Sequence, residues 1–204
     1  MKQAITLLGL FLITCSLHAQ TVEHKSCFSF GGGNESYNGH LGNSWFDPGE
    51  EWYGFVHMAY SRYLCKSFDV QAGITYGDIG RCRPDGADPS ILNLYTRMTS
   101  TSLTFKYKFA NGYLLNEKAR VAPYVFLGGA VNNMEDVWTH YRVNAGYFTS
   151  LNGGAGLTVN LTSRISMGYS MGFAYMTTPG AFDFITTGKH DCYMQHNFTM
   201  GYNF

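Results

Sequence analysis

Hydrophobic and polar residues alternate one by one along much of the chain, and this two-residue period is that of a β-strand. The alternation is clearest over residues 165–176, where large apolar side chains occupy every second position and Ser, Gly or Ala lie between them. The pattern predicts eight strands, with ends placed to within about two to four residues. They cover residues 27–34, 51–64, 68–80, 98–109, 121–132, 146–161, 164–176 and 191–204.

The connections between these strands alternate in length. Residues 65–67 and 162–163 form tight turns, and a longer piece that includes Asn111-Gly112 joins the fourth and fifth strands. On the opposite edge, residues 35–50, 81–97, 133–145 and 177–190 form long segments rich in Gly, Pro, Asp and Asn. Short turns at one end and long loops at the other are typical of outer-membrane barrels. The sequence therefore predicts an all-β fold, an eight-stranded antiparallel up-and-down transmembrane β-barrel with both mature termini in the periplasm. Side chains fill the interior of so small a barrel, so we expect a closed lumen and no open pore.

The last predicted strand has one apolar face. Phe198, Met200, Tyr202 and Phe204 share that face, and smaller or polar residues occupy the other. An outer-membrane barrel needs a lipid-facing row where its last strand closes on its first. We expect these four side chains to face lipid and to act together as an assembly signal.

The composition fits a membrane barrel better than a helical membrane protein. Charged residues are 14%, aromatic residues are 16%, and the chain contains 24 Gly. Mean hydropathy is only -0.13, because every second residue of a barrel strand faces a polar interior. The formal net charge is zero, which gives no support to nucleic-acid binding.

The first residues have the pattern of a secretory signal peptide. Lys2 precedes a mainly apolar run from Ala4 to Leu17, and Ala19 followed by Gln20 fits a cleavage point. We therefore predict a signal peptide over residues 1–19 and one barrel domain over residues 20–204. An uncleaved anchor and a lipoprotein-like box that would lipidate Cys15 are the alternatives.

Charged residues and cysteines are the side chains with the most specific expected roles. Lys106, Lys108 and Arg62 are predicted to face the lumen and to pair there with Asp69, because a single buried charge is costly. The predicted topology favours two disulfides, although three connectivities and free thiols all remain open. The favoured pairs are Cys27 with Cys65 and Cys82 with Cys192.

Particular stretches resemble the OmpA-like outer-membrane β-barrel domain family. They are residues 122–130, residues 153–157 and the C-terminal Tyr202-Asn203-Phe204, and the resemblance covers essentially all of the mature chain. It implies a Gram-negative outer membrane, contact with outer-membrane lipid and lipopolysaccharide, and recognition by the barrel-assembly machinery. The Ala19-Gln20 junction is also similar to signal-peptide ends of secreted Bacteroidetes proteins. The expected role is structural or surface binding, with an extracellular ligand held by the loops.

Aromatic residues in the long loops are the candidates for such binding. They would either anchor a partner or pack the loops together and join the interfacial aromatic girdle. We favour the packing role. The residues are Tyr37, Trp45, Phe46, Trp138, His140, Tyr141, Phe182 and Phe184.

Two other functions remain as alternatives. A lipid A deacylase-like enzyme would need a Ser-His site on the lipid face; His196 shares the outward phase of Phe198, but no serine is evidently paired with it. A soluble lipocalin-like barrel would instead turn its apolar row inward around a ligand. The sequence contains no nucleophile elbow, phosphate loop or paired metal-ligand spacing, so we expect no enzymatic activity, no cofactor and no metal site.

Overall fold

The computed structural model describes residues 25–38, 52–81, 94–117, 119–135, 146–182 and 190–204. The predicted signal peptide, Cys15, Cys82 and most of the aromatic loop residues lie outside these ranges. Eight strands are present in the described part of the chain, each ending within four residues of its predicted position. They are β1 (Ser26–Asn38), β2 (Tyr53–Tyr63), β3 (Phe68–Arg81), β4 (Leu94–Lys108), β5 (Val121–Glu135), β6 (Gly146–Asn160), β7 (Ile165–Met176) and β8 (Cys192–Asn203).

The strands form one closed barrel. Each pairs antiparallel with the next, and β1 pairs with β8 so that Cys27 lies opposite Asn203 and Asn38 opposite Cys192. The predicted eight-stranded antiparallel barrel is therefore confirmed. We call the end with the β2–β3, β4–β5 and β6–β7 connections, Lys25 and Phe204 the turn end, and the opposite end the loop end. No helix among the described residues is long and apolar enough to cross a bilayer.

Side chains alternate between the two surfaces of the barrel wall. On β5, the outward-facing Leu127 is 69% exposed, whereas Tyr124 and Asn132, which face inward on the same strand, are buried. The other strands follow the same rule because successive residues of a strand point to opposite faces. We call the exposed apolar side chains the outward apolar band. They include Phe28, Phe30, Val56, Met58, Ile74, Leu103, Phe105, Val125, Leu127, Val131, Leu151, Leu157, Met167, Phe198, Met200 and Tyr202.

The buried apolar core lies inside the barrel at its loop end. Ala181 and Phe182 belong to the β7–β8 connection, and both are fully buried within this cluster. The chain turns into the barrel mouth at Gly180, whose φ of 64° is a conformation that glycine adopts without steric cost. We call the cluster the loop-end plug. It consists of Tyr37, Ile79, Met98, Met134, Ala174, Met176, Ala181, Phe182 and Tyr193, with Phe148 packed against it.

Candidate functional site

Two of the predicted lumen charges form a direct ion pair. Lys108 Nζ lies 2.6 Å from Asp69 Oδ1, and both side chains are about one-fifth exposed. The Lys108 ammonium also lies 4.3 Å from the centre of the Tyr63 ring. Lys106 faces inward as well, but its ammonium lies over Tyr124, 4.6 Å from the ring centre. Attraction to the negative ring face stabilises this lysine, which forms no ion pair with a carboxylate among the described residues.

Arg62 is not a lumen residue, so its predicted inward position is wrong. It pairs with Ser26 across the β1–β2 ladder and shares the phase of Met58 and Val56, which face outward. Its Nη1 donates to Ser26 Oγ at 2.7 Å. A polar residue is tolerated there because Arg62 is the last residue but one of β2, at the turn end of the outward apolar band, where a long side chain can reach water.

Glu35 is the inward charge that the sequence prediction missed. It is 1% exposed, and its Oε2 accepts a 2.7 Å hydrogen bond from Gln195 Nε2 across the β1–β8 seam. Of the charged strand residues whose side chains the structure describes, Glu35, Asp69, Lys106 and Lys108 face inward. Among the described residues the lumen thus contains two acidic and two lysine side chains.

A small polar chamber lies inside the barrel wall. Its cavity volume is about 80 Å³, enough for a few water molecules but far below the usual size of a ligand pocket. His57 Nδ1 and Thr75 Oγ1 are 3.0 Å apart in its wall. The chamber therefore has the size of a small polar cavity and not that of a channel. Its other lining residues include Ser29, Gln71, Ser100, Ser102, Thr104, Lys106, Asn152, Gln195 and Asn197.

The loop-end plug is held in place by one buried carboxylate. Asp191 Oδ1 accepts a hydrogen bond from Tyr37 Oη and Asp191 Oδ2 accepts one from the Phe182 backbone N–H, each at 2.9 Å. The Phe182 ring contacts the Tyr37 ring edge-on, with the centroids 5.5 Å apart. His190 Nδ1 donates to the Met176 carbonyl oxygen at 2.9 Å. These contacts close the barrel mouth with side chains.

The loop aromatics divide between the described and the undescribed parts of the chain. Tyr37 and Phe182 are fully buried in the loop-end plug, which confirms a packing role for these two. The other six lie outside the described residues, and the expectation that they anchor a partner stays a prediction. They are Trp45, Phe46, Trp138, His140, Tyr141 and Phe184.

The predicted Cys27–Cys65 disulfide is absent from the structure. Cys27, Cys65 and Cys192 are all free thiols. Cys27 pairs with Ser61 across the β1–β2 ladder, and Cys65 lies four residues further along the chain, in the exposed β2–β3 turn. Cys82 lies outside the described residues.

The last strand lies where its pattern placed it. Phe198, Met200, Tyr202 and Phe204 are all exposed on the outer surface, at 47–61%. The backbone of Phe204 joins the strand to the start of β1, since its N–H donates to the Ser26 carbonyl at 2.8 Å and its own carbonyl accepts from Ser26 N at 3.1 Å. The row therefore belongs to the seam that closes the barrel.

His196 faces outward but is not joined to a nucleophile. Its Nδ1 lies 2.6 Å from Tyr169 Oη, and its ring stacks on Trp52 with centroids 5.0 Å apart. Its Nε2 is buried and has no hydrogen-bond partner among the described residues. No described serine hydroxyl bonds to the ring, so these contacts do not assemble the Ser-His pair that a lipid deacylase would need. No group of three or more metal-capable side chains occurs in the described part of the chain either.

Solved structures similar to this chain are small outer-membrane barrels. Neisserial surface protein A matches with a TM-score of 0.60 and 12% identity over 88% of this chain and 97% of its own. The barrel domain of Pseudomonas aeruginosa OprF matches with a TM-score of 0.52 and 16% identity over 89% and 98%.

A third match is the attachment invasion locus protein Ail of Yersinia pestis. Its structure in complex with the heparin analogue sucrose octasulfate gives a TM-score of 0.54 and 16% identity over 90% of this chain and 100% of its own. What is shared is the fold. No protein-family model matches the chain, and no curated protein sequence does.

Proposed function

We propose that the protein is an integral outer-membrane β-barrel with a closed lumen and a structural or surface-binding role. The outward apolar band carries this proposal. Apolar side chains such as Phe105, Leu127 and Leu151 are more than half exposed, and in water each would lose about 1.5–3 kcal/mol relative to burial. A lipid bilayer covers such a band, and a closed barrel leaves no unpaired strand edge in it.

The placement of apolar side chains outside the barrel and charged ones inside it argues against the lipocalin-like alternative. A soluble ligand-binding barrel needs apolar side chains inside and a ligand-sized cavity. Here the interior contains Glu35, Asp69, Lys106 and Lys108, and the chamber of about 80 Å³ is too small for a lipophilic ligand.

We place the turn end in the periplasm and the loop end outside the cell. The β2–β3 and β6–β7 connections at the turn end have only four residues each, whereas every connection at the loop end has ten or more, and this asymmetry supports the orientation. In this orientation the barrel-assembly machinery recognises the outward row of β8 from the periplasm. Lipopolysaccharide then contacts the half of the outward apolar band that is near the loop end. A location in the outer membrane of a Gram-negative cell, and kinship with OmpA-like barrels, are parts of the same proposal.

Surface binding is assigned to the loop segments that lie outside the described residues. Their charged residues are mostly acidic, so we propose a neutral or basic partner and not a sulfated polyanion of the kind present in the Ail complex. Deleting residues 136–145 should weaken binding to that partner while assembly persists, and unchanged surface binding would remove this role from that segment. The acidic residues are Asp47, Glu50, Glu51, Asp85, Asp88, Asp136 and Asp183; the basic ones are Arg83, Arg142 and Lys189.

Membrane fractionation and gel migration test the proposal. The protein expressed in a Gram-negative host should be recovered with the outer membrane and should migrate differently on a gel before and after heating. The purified barrel in planar bilayers should give no large ion conductance. Recovery in the soluble periplasm would overturn the membrane location, and a large steady conductance would overturn the closed lumen.

A further inference from the structure

Basic side chains encircle the turn end of the barrel. Outside the lumen, the described side chains there include five basic residues but a single acidic one, Glu117. The basic residues are distributed around the circumference, before β1, at the end of β2, in the β2–β3 turn, before β5 and in the β6–β7 turn. We call this set the basic collar. It consists of Lys25, Arg62, Lys66, Arg120 and Arg164.

The zero net charge of the chain therefore conceals a local excess of positive charge. Lys66 forms an ion pair with Glu117 at 2.9 Å, and its side chain is still 57% exposed. Arg62 and Arg164 make hydrogen bonds to neutral hydroxyls, those of Ser26 and Tyr202. A hydroxyl leaves the Arg164 guanidinium charge uncompensated, so Arg164 can still attract an anion, as can the exposed part of Lys66.

Lys25 shows that like charges are held close together in the collar. Its pKa is lowered by partial loss of water contact and by the neighbouring Arg62 guanidinium. A protein gains nothing in stability from placing two cations side by side in water. An anionic partner would turn this repulsion into a favourable interaction.

An apolar projection stands beside the collar in the β4–β5 connection. Tyr113 is 81% exposed, Leu114 60% and Leu115 43%. The projection is rigid, because the buried Asn111 accepts hydrogen bonds from the backbone N–H groups of Tyr113 and Leu114 at 3.0 and 3.1 Å. Exposed side chains on so well fixed a turn are available to a partner.

The projection continues the outward apolar band. Asn111 Nδ2 donates to Tyr107 Oη at 3.3 Å, and Tyr107 lies between two further aromatic rings. Its centroid is 5.2 Å from that of Phe68 and 5.4 Å from that of Phe109. The apolar projection therefore adjoins the surface that faces lipid.

We propose that the basic collar and the Tyr113–Leu115 projection bind the anionic phospholipid headgroups of the leaflet at the turn end. This inference rests on the proposed membrane insertion. A ring of charges around the whole barrel matches a plane of headgroups, whereas a protein partner would need its contacts gathered on one side. Aromatic and aliphatic side chains at the same level anchor in the interface, as amphipathic segments do on anionic membranes.

Lipid quenching of a reporter tryptophan tests the collar. A Tyr113→Trp barrel is refolded into phosphatidylcholine vesicles containing brominated phosphatidylglycerol, or brominated phosphatidylcholine at the same fraction, and fluorescence is corrected with the parent barrel. We expect stronger quenching by the brominated phosphatidylglycerol. The preference should fall by up to about 25-fold in the Arg120→Gln/Arg164→Gln variant, since each basic residue contributes about fivefold, and it should weaken in high salt.

Two matched variants make the outcome decisive. Arg120→Lys/Arg164→Lys keeps the charge and should keep the preference. Asp78→Asn/Arg97→Gln removes an outward ion pair near the loop end, where the two groups lie 3.0 Å apart, and should leave quenching at residue 113 unchanged. Equal quenching by the two lipids in an inserted barrel, or the same preference in the Gln variant, would overturn the collar alone. Failure to insert into any vesicle would overturn the proposed function instead.

Discussion

The ammonium of Lys108 lies 2.6 Å from the carboxylate of Asp69 inside the barrel, joining β4 to β3 near the turn end. Replacing Lys108 with Met should lower the free energy of unfolding by about 1–3 kcal/mol, because Asp69 is then left without its partner in a mostly buried site. Urea unfolding of the barrel in detergent measures this. Lys106→Met is the matched control on the same strand, and it should cost only about 0.5–1 kcal/mol since it removes a contact with Tyr124 and no ion pair. Equal losses in the two variants would contradict the pairing.

A second prediction concerns the loop-end plug, at the opposite end of the barrel. Asp191→Ala removes the acceptor of the Phe182 N–H and of the Tyr37 hydroxyl. A hydrogen bond to a charged group contributes about 1.5–3 kcal/mol, so the Phe182 amide should exchange its hydrogen at least about tenfold faster. Exchange of amides in the middle of β3, such as that of Gly73, should not change. An unaltered rate at Phe182 would show that Asp191 does not hold the plug.

A third prediction concerns the close contact between β1 and β8. A Cβ added at Gly33 would overlap the carbonyl oxygen of His196 on the neighbouring strand, whereas a Cβ at Gly129 would have Ser150 O as its nearest neighbour at 3.5 Å. Gly33→Ala should therefore destabilise the barrel by about 1–3 kcal/mol. Gly129→Ala should be neutral or slightly stabilising because alanine loses less backbone freedom on folding. The stability of the two variants is compared by the denaturant concentration at which heat-modifiable gel migration is lost. Equal stability of the Gly33→Ala and Gly129→Ala barrels would contradict the close approach of β1 and β8.

Cysteine labelling tests the thiol assignments. Cys65 is exposed in the β2–β3 turn, while Cys27 lies inside the barrel wall. A hydrophilic maleimide should modify Cys65 in the folded protein and Cys27 only after unfolding. Peptide mapping without reductant should find both as thiols. A Cys27–Cys65 linked peptide would restore the bridge that the structure lacks.

The alternation of side chains predicted the barrel because lipid and lumen impose opposite demands on successive residues. It placed Phe198 to Phe204 on the outer surface and Lys106, Lys108 and Asp69 on the inner one. Arg62 was misplaced because a long cationic side chain near the strand end can face outward, and alternation alone does not distinguish the two faces there.

The loop end was less predictable for a different reason. Residues 35–38 have the polar composition of a loop start, so the sequence pattern does not place Glu35 in the lumen. Pairing with β8, as in the Glu35–Gln195 pair, extends β1 through them. The burial of Phe182 likewise depends on Asp191, nine residues further along the chain, and not on any local pattern.

In a membrane-spanning barrel the outward side chains of a strand contact lipid and the inward ones do not. Phe126 and Leu127 are adjacent on β5, and they point into the chamber and out of the barrel respectively. Tryptophan placed at either position in vesicles with brominated acyl chains tests this directly. We predict strong quenching for Leu127→Trp and little for Phe126→Trp. Equal quenching at both positions, or stronger quenching at residue 126, would contradict a membrane-spanning barrel with a closed lumen.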